Sequence, residues 1–179
     1  MASFDYSRVA DLCDSFCVYD QDVPFFVGLT RHAQGPVLEL MAGTGRISIP
    51  ILRHGVPLTC LDRAPSMLAV LQEKLGRLRN NCRLVCADAR SIPLDGAFDL
   101  VLLPFQGFSE LVDDRERREV LEEVRRVLLP RGRFVCTLHN PRVRLRTVDG
   151  SWRSHLACES IPSRVITLVG RSRSRTARS

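Results

Sequence analysis

The chain has 179 residues, 45% of them hydrophobic and 26% charged, an ordinary composition for a single globular domain with its own core. No apolar run approaches the ~20 residues of a membrane span. The start, Met1-Ala2-Ser3-Phe4-Asp5, lacks the basic and apolar regions of a signal peptide, so a cytoplasmic protein with no membrane partner is expected. The net charge of +6 is uneven: nine arginines in residues 142–179 face only Asp149 and Glu159, so the body is nearly neutral, which argues against a nucleic-acid-binding body.

Taken in order, Val9, Leu12, Cys13 and Phe16 have a helical spacing, predicting a first helix from Asp5 to Cys17. Tyr19-Asp20-Gln21-Asp22 breaks it, and a second helix starts at Val23-Pro24 with Asp22 as N-cap. Both are expected at the sheet edge or as a lid. Val37 to Leu40 reads as a buried strand, because unbroken apolarity suits a parallel sheet covered on both faces. The turn Met41-Ala42-Gly43-Thr44-Gly45 follows, then a helix to about His54, ended by Gly55.

The second strand is Pro57 to Asp62, and a helix from Ala64-Pro65-Ser66 runs to about Arg79. Cys82 to Cys86 and Phe98 to Leu103 are the third and fourth strands. Asp113 caps an amphipathic helix with Val120, Leu121, Val124, Val127 and Leu128 inward, ended by Pro130-Arg131-Gly132. The fifth strand is Arg133 to Leu138. Strands alternating with helices predict an α/β domain with a mainly parallel sheet and helices on both faces.

Seven cysteines invite a metal reading, but Cys13/Cys17 and Cys82/Cys86 are spaced C-x3-C, and structural zinc favours C-x2-C. They are read as reduced, small apolar residues, with no metal site.

Ligands of such sheets bind beyond the carboxyl ends of the strands. The candidate site is therefore Glu39, Met41, Ala42, Gly43, Thr44 and Gly45, then Asp62 and Arg63, Asp88 and Ala89, Leu103 with Phe105 and Gln106, and His139. A glycine turn between strand and helix brings a ligand against bare backbone. Asp62, just past the second strand, can accept both hydroxyls of a ribose. Three acids at three successive strand ends point the same way.

Glu39-Leu-Met-Ala-Gly-Thr-Gly-Arg46, Leu61-Asp-Arg-Ala-Pro-Ser-Met-Leu68, Cys86-Ala-Asp-Ala-Arg90, Phe98-Asp-Leu-Val-Leu-Leu103 and Leu128-Leu-Pro-Arg-Gly-Arg-Phe134 resemble, in order and spacing, the motifs of class I S-adenosylmethionine-dependent methyltransferases. The likeness covers residues 35–140 and implies a Rossmann-like core with S-adenosyl-L-methionine as cofactor. By resemblance, Glu39 addresses the methionine amino group and Asp62 the ribose. Met67 packs near the adenine, whose edge falls to Asp88 and Ala89, and Tyr19 resembles an aromatic closing over the methionine end.

Two departures stand out. Met41 occupies the position of the family's usual first glycine. Only about 40 residues follow His139, with Arg164 to Gly170 as the one strand candidate, so the terminal antiparallel strands are expected to be reduced or missing. The implied organisation is N-terminal helices or lid (1–34), cofactor-binding core (35–140), an incomplete C-terminal part (141–169) and a basic disordered tail (170–179).

A dinucleotide site would need glycine at Ser48, and a P-loop would need Gly-Lys-Ser/Thr, which the chain lacks. Leu103-Pro-Phe-Gln106 replaces the Asn/Asp-Pro-Pro-Tyr/Phe of amino methyltransferases acting on nucleic acid or on protein glutamine. Phe105, Phe108 and the neutral body suit a small-molecule methyl acceptor taken at O, N or C, with Phe105 and Gln106 as substrate residues. His139 is the candidate base, and a histidine bonding a nearby loop is the alternative. Trp152 could line the pocket or anchor the tail. A cofactor-binding but catalytically inactive domain is the alternative to an enzyme.

Overall fold

The computed structural model of the chain describes residues 6, 9–139 and 163–169. Trp152, His155 and the arginine-rich tail 170–179 lie outside them, as does the side chain of His139. Among the described residues, a six-stranded sheet has the order β3-β2-β1-β4-β5-β6. Its strands are β1 (Val37–Leu40), β2 (Leu58–Asp62), β3 (Cys82–Cys86), β4 (Phe98–Leu103), β5 (Leu128–His139) and β6 (Ser163–Val169). The first five are mutually parallel, and β6 joins β5 antiparallel, with Arg133 opposite Val169 and His139 opposite Ser163. The mainly parallel α/β expectation holds, and the terminal antiparallel part is represented by β6.

Side-chain alternation sends each strand's apolar residues to both faces. Leu58, Cys60, Leu100, Leu102 and Val135 pack with α2 (Val23–Arg31), α3 (Ser48–Arg53) and α4 (Pro65–Leu75) through Phe26, Ile51, Leu68 and Leu71. Leu38, Leu40, Leu61, Val101, Leu103 and Phe134 face α5 (Asp114–Val127) through Val120, Val124 and Val127. Both faces are thus buried, which is why β1 is closed to solvent along its whole length. Each such leucine or isoleucine contributes about 1.5–3 kcal/mol by leaving water.

Several boundaries differ from expectation. The first helix, α1, spans only Ala10–Phe16, and it buries Ala10 while Leu12 is 52% exposed. Gly76, with φ at 48°, stops α4 before Arg79 and starts a 3-10 turn, Gly76–Asn81. Asp113 caps α5 as expected, accepting from the Arg115 amide at 2.8 Å.

That helix ends at Val127, however, and β5 begins at once at Leu128, opposite Phe98, before Arg133 pairs with Leu100. Pro130-Arg131-Gly132 is therefore an outward bulge inside the strand, not a helix terminator. Gly132 makes it possible, since a β-carbon there would stand 2.8 Å from the Phe98 carbonyl oxygen. Asp22 occupies the N-cap position of α2 without capping it. Arg46 takes its carboxylate instead, because a bidentate, charge-assisted pair outweighs a single amide hydrogen bond.

Candidate cofactor site

The chain leaves β1 through Met41, Gly43 and Gly45, all with positive φ (55°, 57° and 89°). A β-carbon on Gly45 would stand 2.3 Å from Cδ1 of Leu71, so a bare backbone is what lets the turn lie on α4. Met41 is a side-chain-bearing residue in left-handed backbone. Its Sδ lies 2.8 Å from where a β-carbon of Gly107 would be, so glycine after β4 makes the room that Met41 fills.

Asp62 ends β2 beside this turn. Its Oδ2 accepts the Gly43 amide and its Oδ1 the Ala64 amide, both at 2.8 Å. Burial pushes the carboxyl up, and the two amide donors oppose that push. The helix-start and ligand readings of Asp62 are compatible: two carboxylate oxygens offer about four acceptor sites, and the backbone amides do not fill them all.

Glu39 is 1% exposed and accepts Ser48 Oγ at 2.6 Å, and burial pushes its carboxyl up to about 8. Asp88 is chelated by Arg90, with Nη2 2.7 Å and Nε 3.0 Å from its two oxygens, which holds its carboxyl below the usual range. Arg90 in turn reaches Glu116 at 2.7 Å.

N-terminal residues wall the other side. Arg46 binds both oxygens of Asp22 (2.5 and 2.9 Å) and donates to the Tyr19 carbonyl at 2.7 Å. Its guanidinium lies 4.4 Å from the centre of the Phe105 ring and 5.9 Å from that of Tyr19, a cation–π arrangement. Asp14 of α1 accepts Thr44 Oγ at 2.7 Å and pairs with Lys74, which also donates to the Thr44 carbonyl at 2.9 Å. Tyr6 donates to Glu110 at 2.5 Å. The first helix is thus clasped onto the glycine turn as a wall.

The result is a cavity of about 190 Å³ at the carboxyl ends of the strands. Its wall includes Glu39 of β1, Met41, Ala42, Gly43 and Thr44 from the turn, Asp62 at the end of β2 with Arg63 and Met67 beyond it, Asp88 and Ala89 after β3, and Phe105 after β4. Four expected residues stand behind that wall. Gly45 turns toward Leu71, and Leu103 is fully buried in the α5-side core. Tyr19 acts through Arg46 and Phe105, and the Gln106 amide reaches Thr137 Oγ1 at 3.3 Å.

His139 ends β5 at the same edge of the sheet. Tyr6, Cys13, Cys17, Arg46, Arg90, Glu110 and Glu116 also line the cavity and carried no ligand signal in sequence. Arg46, adjoining the glycine turn, and Arg90, next to Ala89, could have been picked out by position. Among the described residues, no three His, Cys, Asp or Glu side chains gather as a metal site. No helix among them is long and apolar enough to cross a membrane.

A family model described as a methyltransferase domain matches residues 37–132. The chain is 36% identical over 102 residues to the demethylmenaquinone methyltransferase of Thermus thermophilus, covering 55% of this chain and 44% of that one. It is 32% identical over 119 residues to the glycine/sarcosine N-methyltransferase of Parasynechococcus marenigrum (65% and 42% covered). The chain spans about half the length of the curated relatives it matches. Among solved structures it is similar to the glycopeptide N-methyltransferase MtfA complexed with sinefungin (33% identity, TM-score 0.61, 66% and 49% covered). The same enzyme complexed with S-adenosyl-L-methionine gives a TM-score of 0.59 at 32% identity, with 65% and 50% covered. The chain belongs to the methyltransferase-domain family, class I, whose cofactor is S-adenosyl-L-methionine.

Proposed function

We propose that this domain transfers a methyl group from S-adenosyl-L-methionine to an O, N or C atom of a small organic molecule. The observation that carries the reading is the Asp62 carboxylate, aimed by two backbone amides at the glycine turn with acceptor capacity to spare. That acceptor pair fits a ribose diol, whose two hydroxyls donate side by side. Met67, buried on the cavity wall, fits the face of an adenine, with Ala89 and the Arg90-held Asp88 at its edge. Glu39, on the same cavity wall, is the residue that would receive the methionine ammonium.

When bound, the sulfonium of the cofactor supplies an already activated methyl group. What the chain must contribute is placement and exclusion of water. The wall of α1, Arg46 and Phe105 supports that role, since the Arg46 guanidinium lies over the Phe105 ring at the cavity's N-terminal side, with Tyr19 behind it. Phe105, 44% exposed, offers an apolar platform for an acceptor. His139 would accept a proton from an acceptor that must lose one. The relatives' acceptors, named as demethylmenaquinone, glycine or sarcosine, and glycopeptide, support a small acceptor without singling one out.

Calorimetric titration with S-adenosyl-L-methionine, its demethylated product and NAD tests the site. Micromolar affinity for the first two and none for NAD is expected. Asp62→Ala should weaken cofactor binding about 100-fold, the cost of two hydrogen bonds to a charged acceptor. Unchanged affinity in a folded Asp62→Ala chain would remove the assignment.

A further inference from the structure

Neither thiol of α1 has a part in the reading above. Cys13 and Cys17 stand one turn apart with their Sγ atoms 3.6 Å from each other. Both are part-exposed and both line the cavity. Cys17 is the residue after the last helical one, and its backbone (φ −97°, ψ 57°) has already left the helix. The other close pair, Cys60 and Cys82 at 3.7 Å, is different, because Cys60 has no exposed surface.

We propose that the Cys13–Cys17 pair is a thiol-modification site in the cavity wall, taking small disulfides, and that its oxidation and cofactor occupancy exclude one another. The second half rests on the cavity being the cofactor site. The hydrogen bond from Cys17 brings the Cys13 thiol down to about 7, against the opposing pull of burial, so thiolate is abundant at neutral pH.

The thiolate of Cys13 attacks one sulfur of a disulfide RSSR. The S–S bond breaks, the released thiolate takes a proton from water, and Cys13 carries the mixed disulfide. Cys17, losing its proton to solvent, then attacks the Cys13 sulfur and displaces the second RS−, which is protonated in turn. The pair has lost two electrons and two protons, and RSSR has become two RSH.

Closing that bond brings the sulfurs from 3.6 Å to about 2.05 Å, which draws Cys13 and Cys17 together and shifts the end of α1. Asp14 lies between the two cysteines and clasps Thr44 and Lys74, so that shift moves the wall against the glycine turn. A mixed disulfide instead places its bulk in the cavity. Both outcomes deny the cofactor its site.

The test treats the reduced full chain with oxidised glutathione and follows it by intact mass and peptide mapping. At pH 7 a thiol of pKa about 7 is about half ionised against about 3% for an ordinary one, and its lower nucleophilicity takes back about fivefold. Cys13 should therefore react about threefold faster at pH 7 in the wild type than in Cys17→Ala, where the hydrogen bond that lowers it is gone, and about sixfold faster at pH 6. The wild type should proceed to a Cys13–Cys17 disulfide, and Cys17→Ser should stop at the Cys13 adduct. Saturating S-adenosyl-L-methionine should slow Cys13 alone, and the oxidised chain should bind the cofactor at least tenfold more weakly until reduced.

Equal or faster reaction of Cys13 in Cys17→Ala would overturn the thiol site. Equal cofactor affinity of oxidised and reduced chains would overturn the exclusion. A reduced chain that binds no cofactor removes the cofactor assignment and the exclusion together, while the Cys13 rate with and without Cys17 still decides the modification site.

Discussion

The sulfur of Met41 fills the space that a side chain on Gly107 would need, at 2.8 Å from the missing β-carbon. The two residues lie on either side of the buried end of β4, and Leu103 completes the contact at 3.1 Å. A methionine where the family has glycine is therefore matched by a glycine in the turn that follows β4.

The match predicts a coupled pair. Gly107→Ala should cost about 1–3 kcal/mol, because an added methyl meets packed atoms. In the background of Met41→Gly most of that cost should vanish, since the sulfur is gone and glycine accepts the positive φ. Denaturant unfolding of the four variants measures the coupling. Additive effects would show that the two positions are independent.

The two glycines of the turn should respond differently to the same change. Gly43→Ala meets no atom within 4 Å, so it costs only the left-handed backbone, about 1–2 kcal/mol. Gly45→Ala adds a collision with Leu71, a fully buried side chain of α4, and should cost about 3 kcal/mol or more. Thermal unfolding of both variants decides; a costlier Gly43→Ala would contradict the packing of the turn on α4.

Glu39 predicts a pH dependence of stability. Its carboxyl is pushed up to about 8 by burial, above the ordinary value, so the folded chain holds a proton that the unfolded chain releases. The stability linked to this group is complete below about pH 4.3 and is lost as pH rises toward 8. Glu39→Gln keeps an acceptor for Ser48 and has no charge to bury. It should match the wild type near pH 4.5 and gain on it steadily as pH rises to 8, read as a melting temperature that falls with pH in the wild type and not in the variant. A shift of equal size at both pH values would show that the carboxyl does not titrate in this range.

Much of the fold was legible in the residues one after another. Apolar runs entered by Gly35-Pro36 or Asp95-Gly96 marked β1 and β4, and Asp113 before an alternating charged and apolar stretch marked α5. These are local signals, set by side-chain periodicity and backbone chemistry within a few residues. Asp62 and the glycine turn were legible for the same reason, since strand ends in such a sheet converge whatever the loops do.

What only the tertiary structure decided joins residues far apart in the chain. Asp22 could not be seen to prefer Arg46 over its own helix, and Leu128 could not be seen to pair with Phe98 ahead of the Pro130-Arg131-Gly132 bulge. Tyr6 meets Glu110, and Asp14 meets Thr44 and Lys74, only because α1 folds over the cavity. The same docking turned Cys13 and Cys17 from apparent filler into wall residues. A side chain's neighbours across space set its charge, exposure and reactivity, and the order of residues along the chain does not record them.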